Sequence, residues 1–143
     1  VSTATAIYTA SATASGEGRN GHVASSDGVL DFDLAVPKEM GGPGGALTNP
    51  EQLFAAGYAA CFHSALKAVA RIEKQTLTDS AVVADVSFVG GEGGPQLAVA
   101  LHVEIPGLEH AVAQDLVEKA HQMCPYSRAT RGNIDVTLSV DAG

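Results

Sequence analysis

The 143-residue chain carries eight Lys+Arg against sixteen Asp+Glu, a formal net charge of −8, with 45% hydrophobic residues and no tryptophan. That length and composition fit one domain, residues 1–143, with a real core. The acidity argues against nucleic acid as a partner, because binding phosphate requires a basic face. The opening VSTATAIYTASATAS has no basic region and no long apolar stretch, so no signal peptide is expected and the chain reads as cytoplasmic. Thiols there are normally reduced, which favours a catalytic or transient disulfide over a permanent one.

Residues 3–15 alternate loosely and are rich in Thr, Ala, Ile and Tyr, which predicts a strand. GEGRNG (16–21) is a turn. Two short strands follow within 22–36, broken at Asp27-Gly28 as a hairpin. Residues 37–48, PKEMGGPGGALT, form a glycine-rich loop of a length that is usually functional or mobile. NPEQ (49–52) then reads as a helix start. Asn49 caps, Pro50 takes the first helical position, and Glu51 sits where the helix dipole favours acids. The helix should run to about Glu73. Its stripe Phe54, Tyr58, Cys61, Ala65, Val69 steps by three and four, and the other side is also apolar, so burial all round is expected. The apolar run 53–66 is too short and too polar-flanked to span a membrane.

Strands are expected over 80–90 and 96–105, around the turn GEGGP, and a second helix over roughly 108–123. Pro125 disfavours helical geometry at Cys124 and so places that thiol at a helix end. NIDVTLSV (133–140) is a last strand. Hairpin-linked strands segregated from helices point to an α+β fold with a mainly antiparallel sheet.

Cys61 lies in the almost uninterrupted apolar run LFAAGYAACFHSAL, and the only other cysteine is Cys124, without a CxxC spacing. A zinc ribbon and a thioredoxin-like motif both lose their signature. Cys61, His121 and Cys124 as a metal site lack a fourth ligand by pattern. His121 also reads as a solvated helix residue beside Glu118 and Gln122. A Cys–His hydrolase needs a base at the sulfur. His63 points to another helix face, while His121 or His102 would have to be brought there by folding. An apolar setting raises a thiol pKa, so a reactive Cys61 needs a cation. Arg19, in the glycine turn, is one of four arginines, although an arginine in such a turn is most often simply solvated.

TNPEQLFAAGYAACFHSAL together with HQMCPYSRATRGNIDVTL resembles the organic hydroperoxide resistance (Ohr) proteins of the Ohr/OsmC family, and so does the approach VPKEMGGPGGALTNPEQ. The resemblance covers nearly the whole chain and favours the Ohr branch over the OsmC branch. It implies a thiol peroxidase for organic hydroperoxides. In it Cys61 matches the peroxidatic cysteine, Cys124 the resolving cysteine, Arg19 the thiolate-activating arginine and Glu51 the carboxylate that orients it. It also implies an intertwined homodimer with two long central helices inside and sheets outside. Lipoylated proteins or dihydrolipoamide are implied as the dithiol reductant, with no metal and no cofactor. Met40, Phe54, Tyr58 and Tyr126 are candidates to line an apolar substrate pocket; each reads equally well as plain core.

Glu51 and Cys61 stand ten residues apart, about 15 Å along one helix. Glu51 therefore cannot touch its own Cys61. Either a second subunit contributes to the Cys61–Arg19–Glu51 set or the helix kinks, with Gly57 the cheapest place. A redox sensor, which would need an output segment, and a hydrophobe-binding domain with incidental thiols are the competing functions.

Overall fold

The computed structural model describes residues 4–143, and these fall into two compact units divided after Pro50. The first unit holds three short antiparallel strands in the order β1 (Ala12–Ser15), β2 (His22–Ser25), β3 (Asp31–Asp33). Ala12 pairs with Ser25 and Ser15 with His22. The expected strand over 3–15 is thus much shorter, and its residue 3 lies outside the described residues. The reason is the partner: β2 offers only four residues before Asp27-Gly28, where Gly28 takes φ 76°, turns the chain toward β3. In the turn between β1 and β2, Gly18–Asn20 form a single 3-10 turn that carries Arg19. A Cβ at Gly21 would collide with the Ser15 carbonyl, so that turn requires glycine. The loop 37–48 contains a 3-10 turn, Lys38–Met40, ended by Gly41 at φ 82°. It is tied back where the Ala35 N–H donates to the Thr48 carbonyl at 3.1 Å.

Helix α1 (Pro50–Ile72) opens on Pro50, as the sequence predicts, and from Glu51 onward it belongs to the second unit. The antiparallel pair β4 (Ala81–Val89) and β5 (Gln96–Glu104) follows, then α2 (His110–Met123), α3 (Pro125–Thr130) and β6 (Val136–Asp141). β6 joins β5 in parallel, giving the order β4-β5-β6. Two parallel neighbours need a crossover, which α2 and α3 supply. The short helix α3 is absent from the sequence-based expectation.

The core of this unit sets Tyr58, Phe62, Leu66 and Val69 of α1 against Val99, Leu101 and Val103 of β5 and Ala113, Leu116, Val117 and Ala120 of α2. α1 is not buried all round: Ala56, Ala60, Ser64, Lys67 and Arg71 are exposed along its other side. At 23 residues it is also longer than the run 53–66, and by length and composition alone it could cross a membrane. A core helix meets the same test, and six residues of α1 are buried within the fold.

Candidate active site

α1 brings Cys61 to the core side at the step of three from Tyr58. α2 ends at Met123, and Cys124 is extended (φ −61°, ψ 124°) before Pro125 opens α3. The proline effect expected from the sequence is therefore realised at that residue. Cys124 is completely buried and Cys61 half-buried, both are free thiols, and the Cys124 thiol donates to the Cys61 sulfur at 3.4 Å. A disulfide needs about 2.05 Å between sulfurs, so a small approach would close it.

Burial and two groups of this unit act on the Cys61 thiol. Burial pushes its pKa up, the Tyr126 N–H donates to the sulfur and works against that, and the Cys124 sulfur pushes it up further. The N–H is available because first-turn amides of a helix have no internal acceptor. The balance favours the neutral thiol.

Phe54, Tyr58 and Tyr126 form one aromatic cluster beside the thiols. Ring centroids are 6.0 Å apart for Phe54–Tyr58, 5.9 Å for Phe54–Tyr126 and 5.6 Å for Tyr58–Tyr126. Tyr126 is partly exposed, whereas Tyr58 presents no surface to solvent and backs the cluster. Met40 and Arg19 belong to the first unit, Met40 at the end of its 3-10 turn and Arg19 half-buried in the glycine turn. Glu51 is in the first turn of α1, and the helix runs unbroken through Gly57.

The histidines weighed as bases are engaged elsewhere. His63 Nε2 lies 3.0 Å from Ser80 Oγ, and His102 bridges Asp85 Oδ2 (3.0 Å) and Ser139 Oγ (2.8 Å) on the sheet. His121 is not a solvated helix residue. It is half-buried, with Nδ1 2.7 Å from Ser127 Oγ, because α3 folds back against the end of α2. Ser127 in turn meets Tyr58 Oη at 2.7 Å. Ser127 and Thr130, buried and polar, are missing from the sequence-based set; the signal was a hydroxyl three residues after a thiol in CPYS. Among the described residues no group of three His, Cys, Asp or Glu side chains is arranged to hold a metal.

A pair of facing thiols on an α+β frame, one half-open and one enclosed, is the class of site this geometry defines. Residues 42–139 match the family described as OsmC-like protein, and the chain belongs to that family, among its organic hydroperoxide resistance members. It is similar to the organic hydroperoxide resistance protein of Xanthomonas axonopodis pv. citri, with 54% identity over 135 residues, 94% of each chain. The organic hydroperoxide resistance protein OhrB of Bacillus subtilis is 51% identical over 139 residues, covering 94% of this chain and 98% of the relative. A crystal structure of an organic hydroperoxide resistance protein from Legionella pneumophila superposes with a TM-score of 0.91 at 55% identity, covering 96% of this chain and 100% of that one.

Proposed function

We propose that this protein is a cysteine-based peroxidase that reduces organic hydroperoxides, fatty-acid hydroperoxides included, to alcohols and so detoxifies them under oxidative stress. The observation that carries this reading is the 3.4 Å approach of two free thiols from distant parts of the sequence. The names of its relatives support the substrate class.

The Cys61 thiolate attacks the terminal oxygen of ROOH. The O–O bond breaks, alkoxide leaves and is protonated to alcohol, and Cys61 becomes a sulfenic acid. Cys124 then displaces water to give the intramolecular disulfide, and an external dithiol, dihydrolipoamide or a lipoylated protein, restores both thiols. Arg19 is the cation that ionises Cys61 and steadies charge on the peroxide oxygens, and Glu51 orients it. The need for such a cation follows from the pressure toward the neutral thiol inside the second unit. With α1 continuous between Glu51 and Cys61, a second copy of the chain is the source of at least one member of that set. The small, exposed side of α1 at Ala56, Ala60 and Ser64 suits close helix packing in such a homodimer. Phe54 and Tyr126, with Met40, take the organic tail, which hydrogen peroxide lacks.

Steady-state turnover of cumene hydroperoxide against hydrogen peroxide, with dihydrolipoamide and thioredoxin compared as reductants, tests the reading. Rapid turnover of the organic peroxide with dihydrolipoamide is expected. Equal turnover by Cys61→Ser would refute it.

A further inference from the structure

Cys124, immediately before α3, and the Tyr126 N–H in its first turn both meet Cys61, and one buried hydroxyl network fixes that turn. Ser127, the third residue of α3, has no exposed surface. Its Oγ lies 2.7 Å from Tyr58 Oη on α1 and 2.7 Å from His121 Nδ1 on α2. Each of these residues is three positions from a cysteine: Tyr58 precedes Cys61, His121 precedes Cys124, and Ser127 follows Cys124. Positions three apart on a helix are neighbours on its surface. The Ser127–His121 contact therefore spans the α2–α3 joint at Cys124, and the Ser127–Tyr58 contact fastens that joint to the helix bearing Cys61. Thr130 closes the set, with Oγ1 3.2 Å from Tyr58 Oη and donating to the Tyr126 carbonyl at 2.8 Å.

The hydroxyl protons can all run one way. His121 Nδ1–H donates to Ser127, Ser127 to Tyr58, Tyr58 to Thr130, and Thr130 to the Tyr126 carbonyl. In the other His121 tautomer Tyr58 donates to Ser127 and Ser127 to Nδ1. Among the described residues no buried side-chain N or O is left unpaired. A completely satisfied buried network resists deformation, since breaking one member strands the others.

We infer that Tyr58, Ser127 and His121 are positioning residues for the resolving step. They pin the α2–α3 joint to α1, so that Cys124 stays within reach of Cys61 once Cys61 is oxidised. The inference rests on the peroxidase reading above. In that step the Cys124 sulfur attacks the sulfenic sulfur of Cys61. The S–S bond forms, the S–O bond breaks, and hydroxide leaves with the Cys124 proton as water. Cys124 is oxidised as the sulfenic sulfur is reduced. The network exchanges neither electrons nor protons with the reaction and acts only through placement.

Single-turnover oxidation of the full chain by cumene hydroperoxide separates the two steps, with dimedone labelling reporting the sulfenic acid and loss of both free thiols reporting the disulfide. Ser127→Ala and Tyr58→Phe are expected to slow disulfide formation about tenfold, the effect of roughly one hydrogen bond, and to change the first oxidation by less than about threefold. Dimedone-labelled Cys61 should accumulate in both. Ser127→Thr keeps the hydroxyl and should recover most of the lost rate. Tyr58→Phe keeps the core ring, so a folding defect in Ser127→Ala leaves a second variant to read. An unchanged disulfide rate, or equal slowing of both steps, overturns the positioning role. Failure of the parent protein to form any Cys61–Cys124 disulfide refutes the peroxidase reading itself.

Discussion

Tyr126 stands directly on Gly57: a Cβ built at position 57 would lie 2.8 Å from the Tyr126 hydroxyl oxygen and 3.3 Å from two ring carbons. Gly57 lies within the continuous span of α1 and leaves the space that lets the α3 turn sit close to it. Alanine at 57 gains about 1 kcal/mol of helix propensity but must push Tyr126 aside. In a Tyr126→Phe background the closest clash is gone. Gly57→Ala should therefore stabilise Tyr126→Phe more than the parent, a coupling readable by a double-mutant cycle in urea. Additive effects would show that Tyr126 does not occupy that space.

Cys61→Ser should abolish peroxidase turnover. Cys124→Ser should allow one oxidation event and then stall, leaving Cys61 exposed to further oxidation to the sulfinic state. Intact-protein mass spectrometry after excess organic hydroperoxide distinguishes these outcomes.

Arg19→Gln should raise the Cys61 pKa and lower kcat/KM by about a hundredfold or more, the scale of losing one charge-stabilising donor. The direction follows from the environment of Cys61, where burial and the Cys124 sulfur outweigh the Tyr126 N–H. Ultraviolet titration of the thiolate checks the pKa. An unchanged value would remove Arg19 from the proposed role.

Stability should fall as pH drops below about 6.5, the ordinary histidine value. Burial lowers the pKa of both His63 and His121; the positive charge of Lys67 adds to this at His63 and that of Arg131 at His121. The unfolded chain then binds more protons than the folded one in that window, so folding is opposed as pH falls toward their folded pKa values. His121 shares a groove with Asp115, Glu118 and Lys119, which does not reverse the direction. His22 works the opposite way. Its pKa is raised, mainly by its hydrogen bond to Asp33, so its contribution is present below 6.5 and is lost as pH rises through the higher value. His63→Gln with His121→Gln should flatten the acid-side loss in urea midpoints between pH 7.5 and 5.5. A slope unchanged by both substitutions would contradict the assignment.

Local signals made most of the second unit legible. Asn49-Pro50-Glu51 marked the start of α1, alternation marked β4 and β5, and Pro125 ended α2 at Cys124. The parallel pairing of β6, the half-open α1 and the short α3 were not legible, because each depends on what lies beside the segment in space. The same holds within the site. Spacing marked the stripe Phe54–Tyr58–Cys61, but only the return of α3 against α2 brings Cys124 to Cys61 and turns His121 from a surface residue into a partner of Ser127.

In the proposed cycle Cys61 and Cys124 are one redox pair. The most direct test is peptide mass mapping after one equivalent of cumene hydroperoxide. Loss of two hydrogen atoms from the protein, a Cys61–Cys124 linked peptide, and its disappearance on adding dihydrolipoamide are expected. Consumption of the peroxide with both cysteines still free, or undiminished consumption by Cys61→Ser, would contradict it.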